Sequence, residues 1–339
     1  MSELPRPRLG VVLTNLGTPD APTASAVRRY LREFLSDRRV IELPRPLWWV
    51  ILNLFVLPFR PPRVAKRYAA IWQSGDSPMR LILREQSRKL SRELQQIFPQ
   101  ADIQVLPAMS YGQPAIATAL DTLQQEGVEK IVVLPLFPQF SATSTAPVYD
   151  LVGRWLAAQR NLPAITILKD YFAHPIYIAA LAASVLTHRR EHGDAEKLLF
   201  SFHGIPEDYE RKGDPYPSRC RETAARVASA LKLPDDAWAC SFQSRFGAQK
   251  WVQPYTDVLL REWAQSGVSS VQVISPAFSA DCLETLEELA EENREGFLHA
   301  GGKHYHYIPA LNARVDHVSL FVALLRPHLE AHLEAHLHS

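Results

Sequence analysis

The strand ends of this chain rhyme across its two halves. LTNLGTP at Leu13 resembles LFSFHGIP at Leu199. VLPAMSYG at Val105 resembles WACSFQSRFG at Trp238, and VVLPLFPQFSA at Val132 resembles VQVISPAFSA at Val271. In each, an apolar run of the kind a strand buried on both faces shows passes into Gly, Pro and polar residues that end it. The same order of strand ends in both halves predicts a duplicated domain with a ligand cleft between the copies.

Between the runs lie helical patterns. Strands are expected at 9–16, 102–109, 130–137 and 164–168, then at 197–200, 237–242, 270–274 and 304–308. Helices are expected at 23–35, with Val27, Tyr30, Leu31 and Phe34 on one stripe, and at 81–98, 115–125 and 148–159. Strand alternating with helix predicts an α/β fold with two four-stranded parallel sheets flanked by helices. The expected division is 1–170, 171–325 and a tail at 326–339. The tail, ending EAHLEAHLHS, reads as a frayed helical end.

The halves differ mainly after their first strand. About 90 residues separate the first two strand ends in the N-terminal half and about 40 in the other, against the short connections usual in such units. The surplus, an insertion at about 43–62, holds PLWWVILNLFVLPF, with Arg45 and Arg60 flanking it. It is shorter than the roughly 20 residues of a spanning helix, and prolines bracket it. A buried core helix and a membrane-surface or ligand-lip segment both fit. The paired tryptophans and flanking arginines favour the second, so Trp48, Trp49 and Leu52 are expected to face lipid or ligand, with peripheral membrane contact through residues 47–57.

The net charge of +1 and the lack of a basic run argue against nucleic acid as a partner. Three cysteines, Cys220, Cys240 and Cys282, form no C-x-x-C pair and read as reduced thiols of a cytoplasmic protein. The N-terminus lacks the apolar core of a signal peptide. No G-x-G-x-x-G or Walker loop supports nucleotide binding, and Ser201 lies in no G-x-S-x-G elbow.

Chemistry concentrates in two stretches. KLLFSFHGIP places His203 at the carboxyl end of a strand, where open parallel sheets bind ligands. PAFSADCLETLEELAEENREGF carries Glu284, Glu288 and Glu292 at i, i+4 and i+8, one line along a helix that Ser279 or Asp281 is expected to cap. Like charges at that spacing oppose the helix, and Arg294 is the only basic residue among them. Either the row is a solvated face or it faces the cleft with His203. Imidazole and carboxylates facing one cleft suit a borderline divalent cation such as ferrous iron.

NLGTPDAP at Asn15, FLSDRRVIELPR at Phe34, SFHGIP with GDPYPSRC, SFQSRFG and DCLETLEELAEENRE together resemble the ferrochelatase family, in family order from about Leu9 to Asn312. The resemblance implies two Rossmann-like, chelatase-type halves that insert Fe²⁺ into protoporphyrin IX to give protoheme. It sets His203 at the active-site histidine, Glu284 at its paired acid, and Glu288 and Glu292 on a carboxylate line for metal or protons. Asp281, Tyr216, Trp251, Tyr111 and Leu16 fall at positions near the porphyrin or the proton and metal path. The Trp48 stretch resembles an apolar lip over the porphyrin. The C-terminal cysteines that hold a [2Fe–2S] cluster in some members are absent, so no cluster and no cofactor beyond the substrate Fe²⁺ is expected. Ser110 stands where animal members have an Arg, which changes how the porphyrin carboxylates are anchored. A monomer is expected.

Two pyrrole protons must leave before four nitrogens can take iron. A neutral imidazole is a fit acceptor, and so is an imidazole that ligates the metal; the residues allow both for His203. Coproporphyrin III as substrate, another tetrapyrrole chelatase, and a heme or porphyrin carrier without catalysis are the alternatives. The acidic row argues against a passive carrier.

Overall fold

The computed structural model describes residues 6–247 and 249–337, and the chain divides into two compact units. The first holds the chain up to Leu136, Ala142–Lys169 and everything from Ala313 on. In it β1 (Arg8–Gly17) is followed by α1 (Ala24–Ser36), α2 (Arg45–Ile51), α3 (Leu57–Ile71) and α4 (Pro78–Ile97). Then come β2 (Asp102–Tyr111), α5 (Ile116–Gln125), β3 (Lys130–Pro135), α6 (Thr145–Ala158) and β4 (Ala164–Ile167). The four strands are parallel in the order β2-β1-β3-β4. Leu9, Val11, Val12 and Leu13 of the second-position strand are wholly buried, as a strand covered on both faces must be.

The second unit holds Phe137–Ser141 and Asp170–Asn312. Its elements are α7 (Pro175–His192), β5 (Lys197–His203), α8 (Glu207–Arg211), α9 (Tyr216–Ala230), β6 (Trp238–Gln243), α10 (Thr256–Gln265) and β7 (Ser270–Ile274). A π-helix (Glu284–Glu292) runs on into α11 (Asn293–His299), and β8 (His304–Ile308) closes the sheet. The order β6-β5-β7-β8, again all parallel, repeats that of the first unit strand for strand. The duplication read from the strand ends is thus a duplication of topology. The last helix, α12 (Val315–Leu337), packs on α4 in the first unit. Of the tail at 326–339, residues 338 and 339 and the side chains of 335–337 lie outside the described residues.

The apolar insertion is neither wholly core nor wholly lip. It forms one helical path in which a π-turn (Leu52–Val56) joins α2 to α3. The Leu57 N–H reaches back to the Leu52 carbonyl, a wide turn just ahead of Pro58, which has no N–H to give. Trp48, Leu52 and Leu57 point inward, and the Trp48 indole donates to the Leu35 carbonyl at 2.6 Å. Leu47, Trp49, Val50, Leu54, Phe55 and Phe59 are exposed, Trp49 at 64% and Phe59 at 68%. The expectation that Trp48 and Leu52 face outward with Trp49 is therefore corrected. Helical periodicity sends Trp48 and Leu52 to one face and their neighbours to others. Among the described residues, no helix is long and apolar enough to cross a membrane.

This division makes a sharp expectation for stability. Trp48→Ser removes a buried indole and leaves the Leu35 carbonyl without its donor, a loss of about 3–5 kcal/mol. Trp49→Ser changes stability by less than about 0.5 kcal/mol, as exposed positions do. Urea unfolding of the two variants beside the parent checks this; equal losses would place both tryptophans in the core.

Candidate active site

His203 is the last residue of β5 and pairs in register with Gln243, the last of β6. Its ring is part-buried, and Nδ1 lies 2.7 Å from the Gly204 carbonyl. A carbonyl can only accept, so in the neutral ring Nδ1 carries the hydrogen and Nε2 keeps its lone pair. Gly204 is required where it stands. A Cβ there would come within 2.9 Å of the Gln243 carbonyl and 3.1 Å of the Trp251 ring. Trp251 is buried, donates to the Phe246 carbonyl at 3.0 Å, and so forms a rigid wall beside the His203 turn.

Beneath the histidine is a buried polar cluster. Ser201 donates to the Gln243 side-chain carbonyl at 2.6 Å and shares hydrogen bonds through Thr256 with Ser241. The Gln243 amide donates at 3.2 Å to the main-chain carbonyl of Glu284. One buried side chain therefore ties the end of β5 to the start of the acidic helix. Neither Gln243 nor Ser201 was singled out from the sequence as a site residue. A signal that could have found them is the Ser-Phe pair that ends both β5 and β6, Ser201-Phe202 before His203 and Ser241-Phe242 before Gln243.

The acidic helix is a π-helix from Glu284 to Glu292 and not the α-helix that i+4 counting implies. Thr285 and Leu289 face inward, and Leu289 joins Phe297, Val271, Val273 and Leu199 in a core against the sheet. Burial of a Leu or Phe contributes about 1.5–3 kcal/mol each, which fixes the helix's rotation despite its like charges. Side chains add to the turn's own bonds: the Asn293 side-chain amide donates to the Glu288 carbonyl at 2.8 Å and the Tyr305 hydroxyl to the Leu289 carbonyl at 2.6 Å.

Glu284 and Glu288 are half-buried and Glu292 is exposed, so the row runs from interior to surface. Burial raises the Glu288 carboxyl above the usual range. Hydrogen bonds from the Ser244 N–H (2.8 Å) and hydroxyl pull it back, as does His203 when it is protonated, while Glu284 adds to the rise. Glu288 thus feels both His203 and Glu284. Cys282, behind Glu284, keeps its proton: burial raises its thiol, and the Glu284 carboxylate it hydrogen-bonds raises it further.

The capping expectation is corrected. The helix starts at Leu283 without a side-chain cap. Asp281 is buried and instead accepts from Thr285 (3.1 Å), Tyr307 (2.8 Å), the Ala310 N–H (3.2 Å) and Asn312 (2.6 Å), and Ser279 pairs with Tyr171. Asp281 thus pins the helix's entry to the end of β8. Tyr216, at the head of α9, is buried beside Cys220, and its N–H bonds Asp214 at 3.0 Å. In the first unit, Leu16 is half-buried at the end of β1, with its N–H on the Asn15 side chain at 2.8 Å. Tyr111 ends β2 opposite Gly17 and donates to Asp37 at 2.9 Å. Burial, then the nearby Asp37 charge, raises its phenol well above the ordinary value.

A two-unit parallel α/β fold with an imidazole and carboxylates at the strand ends of one unit defines a chelatase-type protein. Among solved structures it is similar to SirB from Bacillus subtilis with Fe³⁺, at TM-score 0.54 and 12% identity over 94% of each chain, a likeness of fold. The ferrochelatase family model matches residues 8–329. A curated ferrochelatase of Psychrobacter cryohalolentis is 62% identical over 95% of this chain and 94% of its own. One of Acinetobacter baumannii is 58% identical over the whole of both. The chain belongs to the ferrochelatase family, the lyases of heme biosynthesis.

The tight turn gives the next expectation. Gly204→Ala pushes the added methyl into the Gln243 carbonyl and the Trp251 ring. It should cost about 1–3 kcal/mol of stability and lower metal insertion by more than that loss of folded protein accounts for. Activity per folded molecule, from unfolding curves and turnover together, tests this; unchanged specific activity would free His203 of its turn.

Proposed function

We propose that the chain inserts Fe²⁺ into protoporphyrin IX to give protoheme with release of two protons, the terminal step of heme biosynthesis, and that His203 and Glu284 carry the chemistry. The observation that supports this most is the His203 ring, with its Nδ1 hydrogen on the Gly204 carbonyl and its charge felt by the half-buried Glu288 carboxyl. A base must remove the pyrrole protons, and a neutral imidazole operates near neutral pH. Glu288, its carboxyl already raised by burial, readily takes a proton onward, and Glu292 hands it to solvent. The Nε2 lone pair and the Glu284 carboxylate also suit a brief hold on the incoming ferrous ion. Tyr216, Trp251 and Asp281 would act as walls and anchors of this site, and Leu16 and Tyr111 as residues on the porphyrin side.

We assign no resident cofactor. Burial raises the Cys240 thiol to about 12 and those of Cys220 and Cys282 well above their ordinary value, the reverse of what a thiolate ligand needs. We also assign a cytoplasmic location, a monomer, and a peripheral membrane contact through the exposed face of the insertion. Each large apolar side chain buried in lipid contributes on the order of 2 kcal/mol, so several give reversible attachment.

Purified protein given Fe²⁺ and protoporphyrin IX without oxygen should yield the protoheme spectrum, faster than with coproporphyrin III. His203→Ala should lower turnover by about a hundredfold or more while porphyrin quenching of tryptophan fluorescence persists. Glu284→Gln should cost far more activity than Glu287→Gln. Equal, small losses from the two glutamines would make the row a solvated face.

For the membrane contact, the outward residues are the ones to change. Trp49→Ser, Leu54→Ser and Phe55→Ser together should abolish sedimentation with liposomes at an unchanged melting temperature. Persistent sedimentation would remove the insertion from any lipid contact.

A further inference from the structure

His188 and His192 form an H-x-x-x-H pair on α7, a spacing that sets both on one helix face and that metal-binding helices use. The expectation from the sequence that the chain holds no H-x-x-x-H pair, and so no closed metal site, is corrected on the first point by these two residues. On β8, the edge strand packed against that helix, stands His306. Ring centroids lie 4.3 Å apart for His188 and His192, 5.2 Å for His192 and His306, and 5.7 Å for His188 and His306. His188 is only 9% exposed, and its buried Nε2 has no hydrogen-bond partner. Native proteins rarely leave such an atom without a purpose.

We propose that His188, His192 and His306 form a second metal site, for a divalent cation that prefers imidazole, such as Zn²⁺ or Ni²⁺. The site is separate from the porphyrin chemistry and uses none of its residues. As the rings stand their nitrogens do not meet at one point, and among the described residues no group of three His, Cys, Asp or Glu side chains is poised to hold an ion. Ring rotation is what closes the site. His192 is exposed in the last turn of α7, before Gly193, and His306 is half-buried, so neither ring is held by full burial. Nitrogens about 2.0–2.1 Å from a common ion are within reach of rings already in contact.

The surroundings favour the ligand form. Burial, then the charges of His192 and His306, lowers His188 to about 4, with Glu191 opposing. Burial, then His192, His304 and Arg294, lowers His306. Neutral imidazoles give up no proton when a metal binds. Three histidines also bind Ni²⁺ and Zn²⁺ more tightly than Fe²⁺, so the site does not draw on the substrate ion.

The test is calorimetric titration of the full chain with Zn²⁺ alone, comparing the parent with His192→Ala and His306→Ala. Both variants keep His203, Glu284 and the C-terminal histidines, so zinc bound there is common to all three proteins. The parent should bind one more equivalent than either variant, and zinc should raise its melting temperature by more. Ferrous insertion should be the same in all three. Should either alanine variant lose its fold, His192→Gln serves in its place. Equal stoichiometry and equal thermal shifts across parent and variants would overturn the site.

Discussion

The buried amide of Gln243 is the interaction that joins the second unit's strand ends to its acidic helix. It sits at the end of β6, in register with His203, and its two ends reach in opposite directions. One accepts from Ser201 on β5, and the other donates to the Glu284 carbonyl at the head of the acidic helix. A buried amide with one end unpaired costs about 1–3 kcal/mol. Both bonds are therefore kept, and keeping both ties the end of β5 to the head of the acidic helix.

The acidic helix shows a second constraint met by a local departure from the ordinary. Like charges along one face oppose a helix, and that cost is outweighed by Leu289 and Phe297 locked into the sheet-side core. A π-helix closes i→i+5, and single turns of it are rare and concentrate at functional sites. Here it runs from Glu284 to Glu292, with outside donors from Asn293 and Tyr305 on two of its carbonyls. Ser244, held at φ +64°, gives both its donors to Glu288. The strained residue and the widened helix meet at Glu288, a carboxylate that burial raises.

Much of this was legible in the chain. Apolar runs bounded by Gly and Pro located all eight strands, and the rhyme of their ends pointed to the duplication that the matching sheet orders display. His203, Glu284 and Glu288 stood out as candidates by their place at a strand end and their spacing. What escaped was whatever depends on rotation about a helix axis or on burial. Trp48 and Trp49 are adjacent letters with opposite fates, decided by a carbonyl at Leu35. Asp281 looks like a cap and is an anchor, because its donors come from 26 to 31 residues away. Gln243 is an ordinary polar letter until its two partners are in place, and the π-turn has no letter of its own.

At the centre of the proposed site is the turn at Gly204, whose carbonyl takes the His203 Nδ1 hydrogen and leaves the Nε2 lone pair bare. Nitrogen-15 NMR of the histidine side chains, with His203 assigned by substitution, reads this directly in the resting protein at neutral pH. The account predicts a hydrogen on Nδ1 and a bare Nε2, in the tautomer that the Gly204 carbonyl selects. A hydrogen on Nε2 with Nδ1 bare would contradict it, since neither proton uptake nor a hold on iron could then start from that nitrogen.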